Sequence, residues 1–308
     1  MERSDSGAGR PALSIVTVCR NLADAIEATC RSVVGQEWRG FEWIVVDGAS
    51  TDGTLDVLAR YRKRMAALIS EPDQGPYDAM NKGIRAARGT HCLFLNGGDR
   101  LADPGVLGRV FGGGPRRADI LYGDEYRADE AGNVFAKWIM PPEERLDKLF
   151  FVADTLRHQS TFIRRELFER FGPYDLGYRI AADLEKWIVF AENGSSFERL
   201  PFPVSVFGMG GLSSSKDWRE THRNERAEVL AAHFSRGEIA EGRRRHKRLR
   251  RYHVVRRSGA FTVGETPDGT RRRYAVFGVP LLKDRKIGVG RWQRLLFGVI
   301  PVGERSES

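Results

Sequence analysis

Residues 44–58 read IVVDGASTDGTLDVL, and this stretch decides the fold. An apolar, β-branched run ends on Asp47, and a polar turn containing Gly48 and Gly53 follows. Leu55, Leu58 and Ala59 then open a helical spacing. A run that is apolar at every position is the signature of a strand covered on both faces, as parallel strands are. A strand that passes through a turn into a helix is the first half of a βαβ unit.

The flanking sequence repeats this pattern. LSIVTVC (13–19) reads as a buried strand. LADAIEATCRSVV (22–34) follows as a helix with Leu22, Ile26, Cys30 and Val33 on one face and Asn21 as a cap. FEWIVVD (41–47) is the second strand and AALIS (66–70) the third. YDAMNKGIRAAR is helical, with Ala79, Gly83 and Ala86 small enough for close packing, and HCLFLN (91–96) is the fourth strand. Right-handed crossovers put every strand's C-terminal end on one sheet edge, where ligands bind. The fold class is therefore α/β with a mainly parallel central sheet. Further on, ADILYGDEY and NVFAKWI read as a strand and its hairpin partner, and IRRELFERFG (163–172) and AADLEKWIVFAENG (181–194) as helices. FERLPFPVSVFG is extended, and residues 219–257 are charged and helical with Leu230 and Phe234 as anchors. YAVFGVPLL and WQRLLFGVIPV echo one another and predict a β-hairpin-like appendage.

The chain has 308 residues, 41% of them hydrophobic and 30% charged, the balance of a globular chain. Cys19, Cys30 and Cys92 match no metal spacing and are odd in number, which predicts free thiols in a reducing, cytoplasmic setting. The first ten residues lack the apolar core of a secretory leader, and no run approaches a membrane span. The net charge of +9 is concentrated at one end: residues 236–308 hold 19 Lys and Arg against 7 Asp and Glu. That asymmetry predicts an anionic partner for the tail. RRRHKRLRR (243–251) lacks the aromatic platform that stacked bases require, so a membrane surface fits better than nucleic acid; a solvated helix is the plain alternative.

Acidic turns follow three successive strands: Asp47 and Asp52, Glu71 and Asp73, and Asp99. Carboxylates gathered at one edge repel, and a divalent cation bridging carboxylate and phosphate relieves this. Helix capping is the competing reading, and for Asp52, Ser50 and Thr51 the preferred one. RNLADA after the first strand is not a glycine-rich dinucleotide turn, and no phosphate-binding G-x-x-x-x-G-K-S/T occurs, which disfavours nicotinamide enzymes and ATPases.

SIVTVCRN, SVVGQEWRGFEWIVVDGASTDGT, EPDQGPYDAMNKGI, FLNGGD, RHQSTFIRRELFERFGPYD, RIAADLEKW and FGMGGLSS, in that order, resemble family 2 glycosyltransferases of the GT-A fold. The nearest likeness is to the colanic-acid-type subgroup that builds bacterial surface polysaccharide. The resemblance covers residues 11–215. It implies inverting transfer from a nucleotide-sugar, UDP-linked by preference, to a saccharide or lipid-linked acceptor. It implies Thr17 and Asn21 near the nucleotide, Asp47 on the base, Asp73 along base and ribose, and Asn96 beside the donor. Asp99 resembles the last acid of a D-x-D motif holding Mg2+ or Mn2+, but position 97 is Gly, so NGGD offers one certain carboxylate. Lys82, a helical turn or two past the Glu71–Asp73 loop, would meet the nucleotide-sugar in the cleft or face solvent. Asp183 resembles the catalytic base, and Glu185 competes with it. The two diverge by about 200° on a helix, at about 100° per residue, so only one faces the cleft. His158, Gln159 and Arg179 would meet acceptor or diphosphate, and Gly210 and Gly211 would sit in a closing loop. Residues 216–257 then form a charged helical extension and 258–308 a small β-rich or amphipathic appendage. The enzyme would lie in the cytoplasm, peripheral to the inner face of the membrane. A sugar nucleotidyltransferase is the alternative, disfavoured because no glycine-rich basic loop follows Val18.

Overall fold

The computed structural model describes residues 10–129, 131–208 and 218–249, together with strand backbone between 253 and 306. Strands β1 (Leu13–Cys19), β2 (Phe41–Asp47), β3 (Ala67–Ser70) and β4 (His91–Phe94) alternate with helices α1 (Ile26–Val34), α2 (Thr54–Ala59) and α3 (Pro76–Ala86). β1 lies between β2 and β4, with β3 outside β2, all parallel. β1 is buried at every position, as the unbroken apolar run predicts. Ile15, Trp43 and Val45 pack toward one core, Val16, Ile44 and Val46 toward the other, so the sheet separates two apolar layers.

The chain continues through β5 (Arg100–Leu101), α4 (Val106–Phe111), β6 (Ile120–Ala128), β7 (Val134–Trp138), β8 (Thr161–Arg164), α5 (Glu166–Phe171), α6 (Ala182–Glu192) and β9 (Phe197–Gly208). The nine-stranded sheet runs β3-β2-β1-β4-β8-β6-β9-β5, with β7 on β6. β8 is antiparallel to both β4 and β6. The helix expected from Ile163 begins instead at Glu166. Thr161-Phe162-Ile163 is buried on both faces of the sheet, and that burial outweighs the helical spacing of the residues behind it.

Close approach of α3 to β1 depends on Gly83, where a Cβ would fall well inside contact distance of Val16 Cγ1. Helix α7 (Arg219–His233) buries Val229 and Leu230 in the same core as Tyr77 and Trp187. Helix α8 (Arg236–Leu249) restarts at Ser235. Ser235 Oγ accepts the Glu238 N–H at 3.2 Å, and the Glu238 carboxylate accepts the Ser235 N–H at 2.8 Å. This reciprocal cap starts α8, so the helical stretch expected over 219–257 is two helices separated at Phe234, which is extended. That pattern ends before residue 257, because His253–Ser258, with Val254 and Val255, is strand β10.

Strands β10 to β15 form a six-stranded antiparallel sheet in chain order: β10, β11 (Phe261–Glu265), β12 (Arg271–Val276), β13 (Val279–Gly288), β14 (Arg291–Leu296) and β15 (Ile300–Ser306). The sequence echo marks two hairpins, closing at Val276↔Val279 and Leu296↔Ile300. Cys19, Cys30 and Cys92 are free and buried, and burial raises each thiol's pKa.

Candidate active site

The parallel register puts Cys19, Asp47 and Ser70 side by side at the C-terminal edge of the sheet. Asp47 has no exposed surface. It accepts the Ser50 N–H at 3.0 Å, the Ser50 hydroxyl at 2.5 Å and the Ser70 hydroxyl at 2.8 Å. Its carboxylate is thus occupied in shaping the turn. Asn21, at φ 52°, accepts the Thr51 N–H at 2.9 Å, and Asp52 accepts the N–H groups of Ala23 and Thr54 at 3.0 Å. These bonds join the loops after β1 and β2 into one rim. Thr17 departs from expectation. Strand alternation turns it inward on the side of Ile15 and Cys19, and its hydroxyl accepts Trp43 Nε1–H at 3.0 Å, so it is closed to a ligand.

Asp73 accepts the Gly75 N–H at 2.9 Å and lines a cavity of about 390 Å³ with Arg20, Tyr178, Arg179 and Trp218. Lys82 is not in that lining. Its Nζ meets Glu71 at 2.9 Å and the Pro72 carbonyl at 2.7 Å, and so braces the Glu71–Asp73 loop.

A second group of residues converges from distant parts of the chain. Asp183, in the first turn of α6, accepts Tyr77 Oη–H at 3.1 Å and its neighbour's N–H, from Leu184, at 2.8 Å. His158 Nδ1 stands 3.5 Å from Asp183 Oδ2, and His158 Nε2 lies 3.1 Å from Asn96 Nδ2. Burial opposes charge on His158, but Asp183, with Asp99 and Glu125 behind it, outweighs burial and raises the ring's pKa. Burial likewise opposes charge on Asp183, and the bonds from His158, Leu184 and Tyr77 outweigh it, lowering its pKa. His158 Nδ1 thus faces the Asp183 carboxylate while Nε2 faces the Asn96 amide, and the two residues form a histidine–carboxylate pair. Glu185 points elsewhere, to Lys186 Nζ at 3.3 Å.

Asp99 is 5% exposed and accepts the Gly208 N–H at 3.1 Å; burial raises its pKa to about 7. A second acid of a D-x-D motif at Gly97 would be crowded, since a Cβ there would stand 2.7 Å from Leu22 Cδ1 and 3.1 Å from Cys19 Cβ and Leu22 would have to move. Among the described residues no group of three His, Cys, Asp or Glu could hold a metal ion. The donor set fits a cation that arrives with its own phosphate oxygens, with Asp99 as a protein ligand. The Asn96 Oδ1 atom nearby is buried without a partner.

Gln159 is buried and donates to Glu125 Oε2 at 2.5 Å, so it supports Glu125 instead of facing outward. Arg179 lines the cavity, while its backbone N–H binds Glu225 at 2.9 Å. Gly210 and Gly211 lie outside the described residues. Tyr77, Glu125 and Glu225 were not anticipated. Tyr77 and Glu125 sat within stretches read only for helix and strand, and their partners lie 106 and 34 residues away.

The family model for glycosyl transferase family 2 matches residues 14–172, a stretch that ends before α6 and α7. A Mycobacterium tuberculosis protein named PGL/p-HBAD biosynthesis glycosyltransferase is 35% identical over 215 residues, 67% of this chain and 80% of that one. Among solved structures, S. aureus TarS 1–349 in complex with UDP-GlcNAc superposes with TM-score 0.57 at 18% identity, covering 76% of this chain and 72% of that one. The mannosyltransferase PcManGT from Pyrobaculum calidifontis, in complex with GDP-Man and Mn2+, gives TM-score 0.56 at 20% identity, covering 73% and 64%.

Proposed function

The chain belongs to glycosyl transferase family 2, and from that premise we propose that it moves a sugar from a UDP-sugar to a saccharide or lipid-linked hydroxyl, with inversion. The observation that carries this reading is the meeting of His158 and Tyr77 on the Asp183 carboxylate, at 3.5 and 3.1 Å. The ionised Asp183 carboxylate takes the proton of the acceptor hydroxyl as that oxygen attacks the anomeric carbon. The carbon–oxygen bond to the diphosphate breaks on the opposite face, and the nucleoside diphosphate leaves. The lowered pKa keeps Asp183 deprotonated, and Tyr77 and His158 fix its orientation. Asp99 would contact a divalent cation, Mg2+ or Mn2+, which when bound neutralises charge on the leaving diphosphate. Asp73 and Arg179 would line the nucleotide side of the cleft. Asp47, Asn21 and Lys82 hold the loops that shape it.

Support for the donor class comes from the UDP-GlcNAc complex of TarS, and for the acceptor class from the relative named for PGL/p-HBAD biosynthesis. No helix among the described residues is long and apolar enough to cross a membrane. The basic residues 236–308 would instead rest on the anionic inner face of the cell membrane. The test is incubation with UDP-, GDP- and dTDP-sugars plus Mn2+ and an acceptor panel. Release of nucleoside diphosphate with glycosylated acceptor is expected. In a parallel incubation with nucleoside triphosphates and sugar 1-phosphates, release of pyrophosphate would replace this reading with nucleotidyl transfer.

A further inference from the structure

The pair at the centre of the site is built from two chain segments, and helix α7 holds both. Helix α6 begins without a side-chain cap of its own. The three backbone N–H groups that lead into it, from Arg179, Ile180 and Ala181, all donate to the Glu225 carboxylate, at 2.9, 2.9 and 3.0 Å. Glu225 is 8% exposed. The next residue, Arg226, extends the other way. Its Nη2 donates to the Phe151 carbonyl at 2.9 Å and the Asp154 carbonyl at 3.3 Å, on the segment that runs into His158. Val229 and Leu230, one turn on, anchor α7 in the core.

We propose that Glu225 and Arg226 are positioning residues: through them α7 sets the distance between His158 and Asp183. This rests on the reading of Asp183 as the base. The 3.5 Å separation of Nδ1 and Oδ2 exceeds that of a strong charged hydrogen bond, so small shifts of either segment decide whether the pair forms. Neither α7 residue touches His158 or Asp183 by a hydrogen bond. Glu225 holds backbone before one and Arg226 holds backbone before the other. A misplacement of about 1 Å at a catalytic group can cost about 10²-fold in rate.

The test compares the full-length wild type with Glu225→Ala, Glu225→Gln, Arg226→Gln, Arg226→Lys and Asp183→Asn. Three readouts are taken: the His158 ring titration by NMR, UDP release from UDP-GlcNAc with Mn2+, and UDP binding by calorimetry. The charges facing His158 are Asp183, Asp99 and Glu125, so loss of the pair has a defined direction. Glu225→Ala and Arg226→Gln are expected to move the His158 titration downward. They are expected to lower turnover about 10- to 100-fold with UDP affinity within about twofold of wild type. Glu225→Gln, which keeps one accepting oxygen, and Arg226→Lys, which keeps the charge, should recover part of both effects. They also carry the test if the harsher variants do not fold. Folded Glu225 and Arg226 variants with wild-type His158 titration and turnover would overturn the proposal while leaving an inactive Asp183→Asn intact. Wild-type turnover in Asp183→Asn would instead remove the base reading itself.

Discussion

Asp99 and Gly97 show how one position constrains another. The packing of Leu22, Cys19 and Ile26 around Gly97 crowds any side chain there, so in the proposed reaction the cation contact would fall to Asp99. Asp99→Asn is therefore expected to raise the Mn2+ concentration needed for half-maximal turnover at least about tenfold, read from a metal titration. An unchanged titration curve would place the cation elsewhere. The acidic residues were legible because each ends an apolar strand. Their orientation was not, since Asp47 and Thr17 are both turned into the protein by contacts with Ser50, Ser70 and Trp43 that spacing alone does not reveal. Lys82 likewise read as cleft or solvent until Glu71 and the Pro72 carbonyl claimed its ammonium.

At the scale of elements, the βαβ run from Leu13 to Ala86 was readable because buried parallel strands and amphipathic helices have different periods. The boundaries at Glu166 and Ser235 were less so. One depends on burial of Thr161-Phe162-Ile163 within the sheet, the other on a reciprocal Ser–Glu cap. Two predictions follow from element packing. Gly83→Ala drives a methyl group into Val16 and should cost about 1–3 kcal/mol of stability, measured by urea denaturation. Ser235→Ala removes the α8 cap and should cost about 1 kcal/mol, visible as a lower unfolding midpoint; an unchanged midpoint would show α8 independent of its cap.

For the whole molecule, stability should depend on pH through His91, which is 1% exposed and whose ring meets the Ala118 carbonyl at 3.2 Å. Burial lowers its pKa from 6.5 to about 4. Above pH 6.5 the ring is neutral in both states and costs nothing. As pH falls from 6.5 toward 4 the unfolded chain takes up a proton that the folded chain refuses. This group's contribution then falls by about 3 kcal/mol, at about 1.4 kcal/mol per pKa unit, while the raised pKa of Asp99 acts in the opposite sense over the same range. Relative to wild type, His91→Gln should gain about 3 kcal/mol as pH falls from 6.5 to 4; a curve parallel to wild type would assign the acid loss to other groups. The proposed membrane attachment would likewise belong to the assembled chain. Co-sedimentation with anionic vesicles should require residues 236–308, and equal recovery with and without them would refute it. The central claim is that strand-edge loops and helix α6 meet in one cleft, where Asp183 takes the acceptor's proton. It is tested most directly by turnover and UDP affinity of Asp183→Asn, measured side by side with the donor and acceptor that the panel identifies. The account predicts a turnover loss of about 10²- to 10⁴-fold with UDP affinity within about twofold of wild type, and turnover close to wild type would contradict it.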